Sequence, residues 1–117
     1  MKKTSHKNER INGEVLRELS RIISMEIKDP RINPMTSVTS VIVTPDLKYC
    51  KAFISALGDE ESAQETLAGL NSANGYIRRE LARNINLRNT PELTFVMDQS
   101  IAYGIEMSKK IDDIMNQ

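Results

Sequence analysis

One cysteine, one histidine and a formal net charge of zero leave this chain short of several kinds of chemistry. Cys50 has no second thiol to pair with, so no intramolecular disulfide can form, and a reducing, cytoplasmic setting is expected. It lies in a strand-like run and reads as a small buried hydrophobe. His6 stands near the N-terminus without partners for a metal site or a catalytic triad, and reads as an exposed residue of an arm. No overall basic charge marks the chain as a nucleic-acid binder. No apolar stretch approaches membrane-spanning length, and no apolar segment follows the basic N-terminus, so no signal peptide is expected. Walker motif, dinucleotide fingerprint and zinc-ligand spacing are all missing. Internal repeats and low-complexity segments are missing too. Neither a cofactor nor a metal is expected.

What is present fits one small domain. The chain has 117 residues, 39% of them hydrophobic. A chain of this length buries about two-thirds of its unfolded surface, enough for one core without staples. Its charge is unevenly spread. Residues 1–31 hold eight Lys/Arg against five Asp/Glu, and residues 77–91 hold four against one. The acidic excess lies in 59–66 and 92–117. One basic face is compatible with zero net charge, as it is on many ordinary surfaces.

Residues 1–8 read as a flexible basic arm carrying Lys2, Lys3 and Lys7, with Asn8 placed to cap the first helix. In that helix Ile11, Val15, Leu19, Ile22 and Ile23 recur at helical spacing as one apolar stripe. Arg10, Arg17, Arg21 and Lys28 fall in a band on the opposite face, and Pro30 ends the helix near Lys28. Glu14 and Glu18 could pair with this basic band along the helix. Val38–Thr44 and Tyr49–Ala56 read as an antiparallel strand pair around a Pro45-Asp46 turn. A helix opens near Glu60, with acids in its first turn. A break at Ala73-Asn74-Gly75 leads into another helix reaching about Asn84. Leu93–Met97 reads as a third strand, and Ser100 caps a last helix with Ile101, Ile105, Ile111 and Met115 on one face. The fold class is therefore α+β in the order αββααβα, a small mixed sheet with helices on one face. This is the order of a type II KH fold with one added C-terminal helix. Strand order is not legible.

The segment from Asn71 to Phe95 carries the functional signal. Asn and Gly together tolerate the left-handed backbone region, so they suit a sharp turn between two helices. The helix that follows has an N-terminus suited to anions. Tyr76, Arg79 and Arg83 share one of its faces at i, i+3 and i+7, while Ile77, Leu81 and Ile85 point to the core. Arg78 projects near the apolar side, where its stem can lie over the core. Arg side chains suit bidentate phosphate contact and Tyr76 suits stacking on a base. A solvated basic face is the plain alternative. Glu92 and Asp98 flank the third strand and, at about 3.3 Å per residue, stand roughly 20 Å apart, too far to share a metal.

Several of these segments occur together, in order, in one known family. They are the Arg10-Ile11 helix, Lys28-Asp29-Pro30-Arg31, Val41-Ile42-Val43-Thr44-Pro45-Asp46-Leu47 and Lys51-Ala52. Ala73-Asn74-Gly75-Tyr76-Ile77-Arg78, Pro91-Glu92-Leu93-Thr94-Phe95, Asp98-Gln99-Ser100 and Gly104 complete the set. In these the chain resembles the ribosome-binding factor A family, bacterial ribosome-assembly proteins with a KH-like fold. The family's Ala-x-Gly turn, here Ala73-Asn74-Gly75, stands in place of the Gly-x-x-Gly of KH domains.

The resemblance implies a non-enzymatic, monomeric assembly factor in the cytoplasm. Such a factor binds the free 30S small ribosomal subunit and its 16S rRNA, and assists late maturation and 16S 5′-end processing without catalysing it, notably in the cold. It also implies a functional link to an assembly GTPase. The expected RNA-binding residues are Lys3, Lys7, Arg10, Ala73, Asn74, Gly75, Tyr76, Arg78, Arg79 and Arg83, with no catalytic or metal residues. A general single-stranded RNA-binding KH module, a small metal-dependent ribonuclease and a protein–protein adaptor using the acidic C-terminal helix remain as alternatives.

Overall fold

A computed structural model describes residues 6–98, and the expected C-terminal helix and Lys3 lie outside these residues. The element order is α1 (His6–Met25), β1 (Ser37–Val43), β2 (Tyr49–Ser55), α2 (Glu60–Ser72), α3 (Asn74–Asn84) and β3 (Glu92–Met97). α1 buries the whole predicted stripe, with Val15, Leu19 and Ile22 fully enclosed. Burying one such side chain is worth about 1.5–3 kcal/mol, so this stripe is the main reason that α1 holds its place. Two boundaries differ from the sequence reading. α1 begins at His6, so Lys7 belongs to the helix rather than to a free arm. It ends at Met25, so Lys28 lies beyond it and off the helical band.

The physical reason for the early end is local. Asp29 accepts hydrogen bonds from the Arg31 backbone N–H at 2.9 Å and from its Nη2 at 2.6 Å. That clamp and Pro30 commit the chain to a turn, and the turn needs the preceding residues to leave the helix. The segment then docks on α2. Asn33 donates its backbone N–H to the fully buried Thr66 hydroxyl at 3.2 Å. Its side-chain amide donates to the Leu57 carbonyl, while its Oδ1 accepts from the Met35 N–H at 2.8 Å. Gly69 permits this approach, because a Cβ there would stand 2.7 Å from Ile32 Cγ1.

The sheet has the order β1-β2-β3. β1 and β2 are antiparallel, with Val41 opposite Ala52 and a bulge between Val38 and Ser40. β3 runs parallel to β2, with Phe95 opposite Ala52. A parallel neighbour needs a long crossover, and α2 and α3 supply it. The turn between β1 and β2 is held by Asp46, which accepts from the Thr44 hydroxyl and the Lys48 N–H. Leu47 adopts φ of 62° there and is buried. One sheet face, with Val41, Val43, Cys50, Ala52, Ile54, Leu93 and Phe95, joins the helices in a single core. Ile42 and Tyr49 are exposed. No described helix is long and apolar enough to cross a membrane.

Candidate RNA-binding face

α2 passes into α3 through one residue. Ala73, at φ −90° and ψ 4°, ends the first helix and caps the second. Its N–H donates to the Gly69 carbonyl at 3.1 Å, and its carbonyl accepts from the Ile77 N–H at 2.9 Å. Asn74 Nδ2 donates to the Leu93 carbonyl at 3.0 Å, which ties the bend to β3. The left-handed region that Asn-Gly would tolerate is used at neither Asn74 nor Gly75, since the only positive φ values among the described residues are at Leu47 and Gly58. The bend needs only a non-helical ψ at Ala73, which any L-residue can adopt. A Cβ at Gly75 would meet nothing within 4 Å among the described residues. Its bare backbone is a feature of the surface, not a requirement of the turn.

The structure separates the α3 residues that the sequence grouped. Tyr76 is partly exposed, and its hydroxyl donates to Glu26 Oε1 at 2.6 Å. Glu26 also pairs with Arg21 at 2.7 Å. The Tyr76 hydroxyl, and then the Arg21 guanidinium, hold the Glu26 carboxyl below its ordinary pKa. The same bond raises the Tyr76 phenol. Arg21 Nε donates to Glu18 at 3.0 Å, and Asn84 Nδ2 reaches the same carboxylate oxygen at 2.8 Å. Arg83 pairs with Glu80 at 2.9 Å. A chain of charge-assisted bonds therefore closes the α1–α3 seam, and both Tyr76 and Arg83 contribute to surfaces already partnered.

Arg78 has a different task. Its Nε donates to the Pro91 carbonyl at 3.2 Å and its Nη2 to the Thr90 carbonyl at 2.8 Å. It thus pins the connection into β3 rather than lying passively over the core. Arg79 is exposed and has no hydrogen-bond or ion-pair partner among the described residues. It lines an open cleft of about 290 Å³ with Gly75, Arg78, Ala82 and Thr90. Small residues at Gly75 and Ala82 keep that cleft accessible to a bulky ligand.

A second cleft, of about 340 Å³, brings Ile27, Lys28, Asp29 and Pro30 against Ala73 and Tyr76. Two segments that are far apart in the sequence thus meet at the α2–α3 bend. Lys28 is exposed and unpartnered among the described residues, whereas Asp29 is clamped by Arg31 and its pKa falls to about 2. Arg10 is exposed on the first half of α1, away from this bend. Sequence reasoning missed Glu26, the acceptor that orients Tyr76. Its partner is far away in the chain, and no local pattern announces the pair.

These surfaces offer donors and cations to an anion. Among the described residues, no group of three or more His, Cys, Asp or Glu side chains could hold a metal. Burial pushes the Cys50 thiol up to about 11, so it is a poor nucleophile at neutral pH. Asp98 accepts from the Thr39 hydroxyl at 2.7 Å at the far end of β3 from Glu92.

The family model described as "Ribosome-binding factor A" matches residues 7–111. Ribosome-binding factor A of Lachnospira eligens is 69% identical over 114 residues, which cover 97% of this chain and 88% of the relative. The crystal structure of ribosome-binding factor A from Thermus thermophilus is similar in fold. It superposes with a TM-score of 0.69 at 23% identity, over 77% of this chain and 94% of that one. A homology model of the Thermus thermophilus protein, fitted into a cryo-EM map of its complex with the 30S subunit, gives a TM-score of 0.62 at 24% identity. It covers 83% of this chain and 97% of that chain. The three helices and three-stranded sheet of the described residues and the sequence match over nearly the whole chain agree: the chain belongs to the ribosome-binding factor A family.

Proposed function

We propose that this chain binds the 30S ribosomal subunit through its 16S rRNA and stabilises one rRNA arrangement late in assembly, without catalysing a reaction. The observation that carries this reading is Arg79, a cation without a partner among the described residues, beside side-chain-free Gly75 in an open cleft. A phosphate backbone can approach bare peptide closely, and a guanidinium can grip it bidentately. The Thermus thermophilus homology model fitted into a map of a 30S complex supports 30S binding. A binder with unequal affinity for two rRNA states shifts their populations without an energy source. Effects on 16S 5′-end processing are then indirect, through access for separate nucleases. Release falls to a partner such as an assembly GTPase.

The αββααβ order supports a KH-like, type II reading of the fold, with residues 1–117 as one RNA-binding domain. The one-residue bend at Ala73 takes the place of a longer KH loop. A monomer working in the cytoplasm, with added importance in the cold, completes the proposal. The interface includes Lys3, Lys7, Arg10 and the bend from Ala73 to Gly75, with Arg79 as the leading cation. Tyr76 and Arg83 join only by exchanging their carboxylate partners for RNA. Asn74 contributes by tying the bend to β3, and Arg78 by pinning the connection into β3.

Sedimentation with purified mature and immature small subunits tests this. The protein should travel with immature subunits, and Arg79→Ala should lower the salt slope of log K by about one counterion. An unchanged slope and affinity would remove Arg79 from the interface. Homogeneous protein should leave precursor rRNA intact with or without Mg²⁺, and cleavage abolished by Asp98→Asn would favour a nuclease instead.

A further inference from the structure

A cleft of about 470 Å³ opens between the first half of α1 and the end of α3, at a distance along α3 from the bend. We propose that it is a pocket for one unstacked nucleotide of single-stranded RNA. The inference rests on reading this chain as an RNA binder and adds to it a second site, which shares only Arg10 with the interface above.

Arg10, Glu14, Arg17 and Glu18 form one wall, with Glu18 already accepting from Asn84 and from Arg21, so Arg10 and Arg17 are its free cations among the described residues. They are seven residues apart, two turns of the same helix face, or about 10 Å. Both are exposed, and neither has a hydrogen-bond or ion-pair partner among the described residues. Glu14 lies between them at pairing distance in sequence, yet no bond forms. Arg21, one turn further on, is fully engaged with Glu18 and Glu26. Two cations left unneutralised on one wall suit the phosphates on either side of a nucleotide.

The opposite wall comes from the α3 terminus. α3 stops at Asn84, and Ile85 turns extended at φ −123° and ψ 126°. Ile85 is half-buried and offers an apolar surface to a base. Asn86 is exposed, and its amide has no partner among the described residues. A side-chain amide presents one donor and one acceptor direction, the complement of a base edge. Unstacked RNA bases are read in this way, on their edges and faces.

Glu14 argues for RNA over a simpler anion. It is half-buried and lines the cleft, where its carboxylate accepts from no donor among the described residues. It would repel a phosphate placed beside it, so the phosphates belong at the outer ends with Arg10 and Arg17. A ribose 2′-hydroxyl is a donor and fits the centre. DNA lacks that donor, and an acidic peptide would bring further carboxylates against Glu14. The cleft volume is within the range of small-ligand sites.

The test uses the full chain with single-stranded RNA hexamers and their DNA counterparts, followed by NMR and fluorescence anisotropy. RNA hexamers should shift the side-chain signals of Arg10, Arg17 and Asn86. The double change Arg10→Gln and Arg17→Gln should weaken hexamer binding by about tenfold or more, the size expected for lost charged hydrogen bonds. Glu14→Ala should bring RNA affinity down towards that of DNA. Subunit sedimentation run in parallel separates the two proposals. Hexamers that fill the cleft of a protein that ignores subunits would leave the pocket standing and overturn the assembly role. Subunit binding with hexamer shifts confined to Gly75 and Arg79, or RNA and DNA bound equally by the unaltered protein, would overturn the pocket alone.

Discussion

The two ends of the α1–α3 seam are built from the same residue types and end in opposite states. From the bend as far as the end of α3, Tyr76, Glu26, Arg21, Glu18 and Asn84 form a continuous run of hydrogen bonds between the helices. At the other end, Arg10 and Arg17 face a cleft with no partner among the described residues. A paired charge must leave its partner before it can grip a ligand, and an unpaired one need not. Exposed arginines are therefore unequal as binding residues, and a basic stripe on a helical wheel overstates the surface that is free. The same lesson holds for glycine. Gly69 is bare because Ile32 packs against it, while a Cβ at Gly75 would meet none of the described residues within 4 Å.

Leu19→Ala is the largest expected effect, because fully buried Leu19 lies on the stripe that holds α1 against the core, beneath both ends of the seam. A loss of about 2–5 kcal/mol in chemical denaturation is expected. A loss well under 1 kcal/mol would detach the seam from the core and void the comparison.

The glycine pair sharpens it. Gly69→Ala should destabilise by about 1–3 kcal/mol, as overpacking against Ile32 does. Gly75→Ala should be neutral or stabilise by up to about 1 kcal/mol, since alanine suits an open helical position better than glycine. Its cost should appear in subunit affinity instead. Equal stability losses at both positions in thermal unfolding would show that Gly75 is structural after all.

A smaller difference is expected between Arg79 and Arg83. Arg79→Ala should weaken subunit binding more than Arg83→Ala, because Arg83 must first release Glu80. The reverse ranking in salt titrations would mean that the Glu80 pair breaks readily and that partnering does not decide which cation binds.

The smallest effect concerns acid. Asp29 has its pKa lowered from 3.8 to about 2 by the Arg31 side chain and backbone. A depressed carboxylate contributes stability above its unfolded pKa and loses it as pH falls through the folded one. That contribution should fade between about pH 4 and pH 2. Asp29→Asn should flatten the stability profile in that window, measured by denaturation at several pH values. Glu26, lowered chiefly by the Tyr76 hydroxyl, adds in the same direction, and Tyr76→Phe should reduce its part. A profile unchanged by both substitutions would show that these bonds do not persist in solution.

Helix and strand positions in the described part of the chain were legible because they follow from local periodicity. The Ile11–Ile23 stripe has one reading as a helix, and the alternation through β2 has one reading as a strand. The antiparallel β1–β2 pair followed from a short connection. The bend at Ala73 was legible as a break, but its mechanism was not. Asn-Gly suggested a left-handed residue, and the backbone achieved the turn with an ordinary ψ at Ala73. The early end of α1 was obscured because Pro30 marks a limit and the Asp29–Arg31 clamp sets the actual stop.

By itself the sequence determined which faces are apolar, in what order helices and strands come, and where a basic helix follows a bend. Those depend on residues a few positions apart, where chain geometry fixes the distances. Tertiary structure decided that β3 lies beside β2, and that Glu26 holds Tyr76 and Arg78 holds the carbonyls of Thr90 and Pro91. It also decided which arginines remain free. A hydrogen bond needs contact within about 3.5 Å and water with salt screens exposed charges beyond about 10 Å, so a charge is neutralised by what packing brings next to it. No pattern along the chain records that proximity.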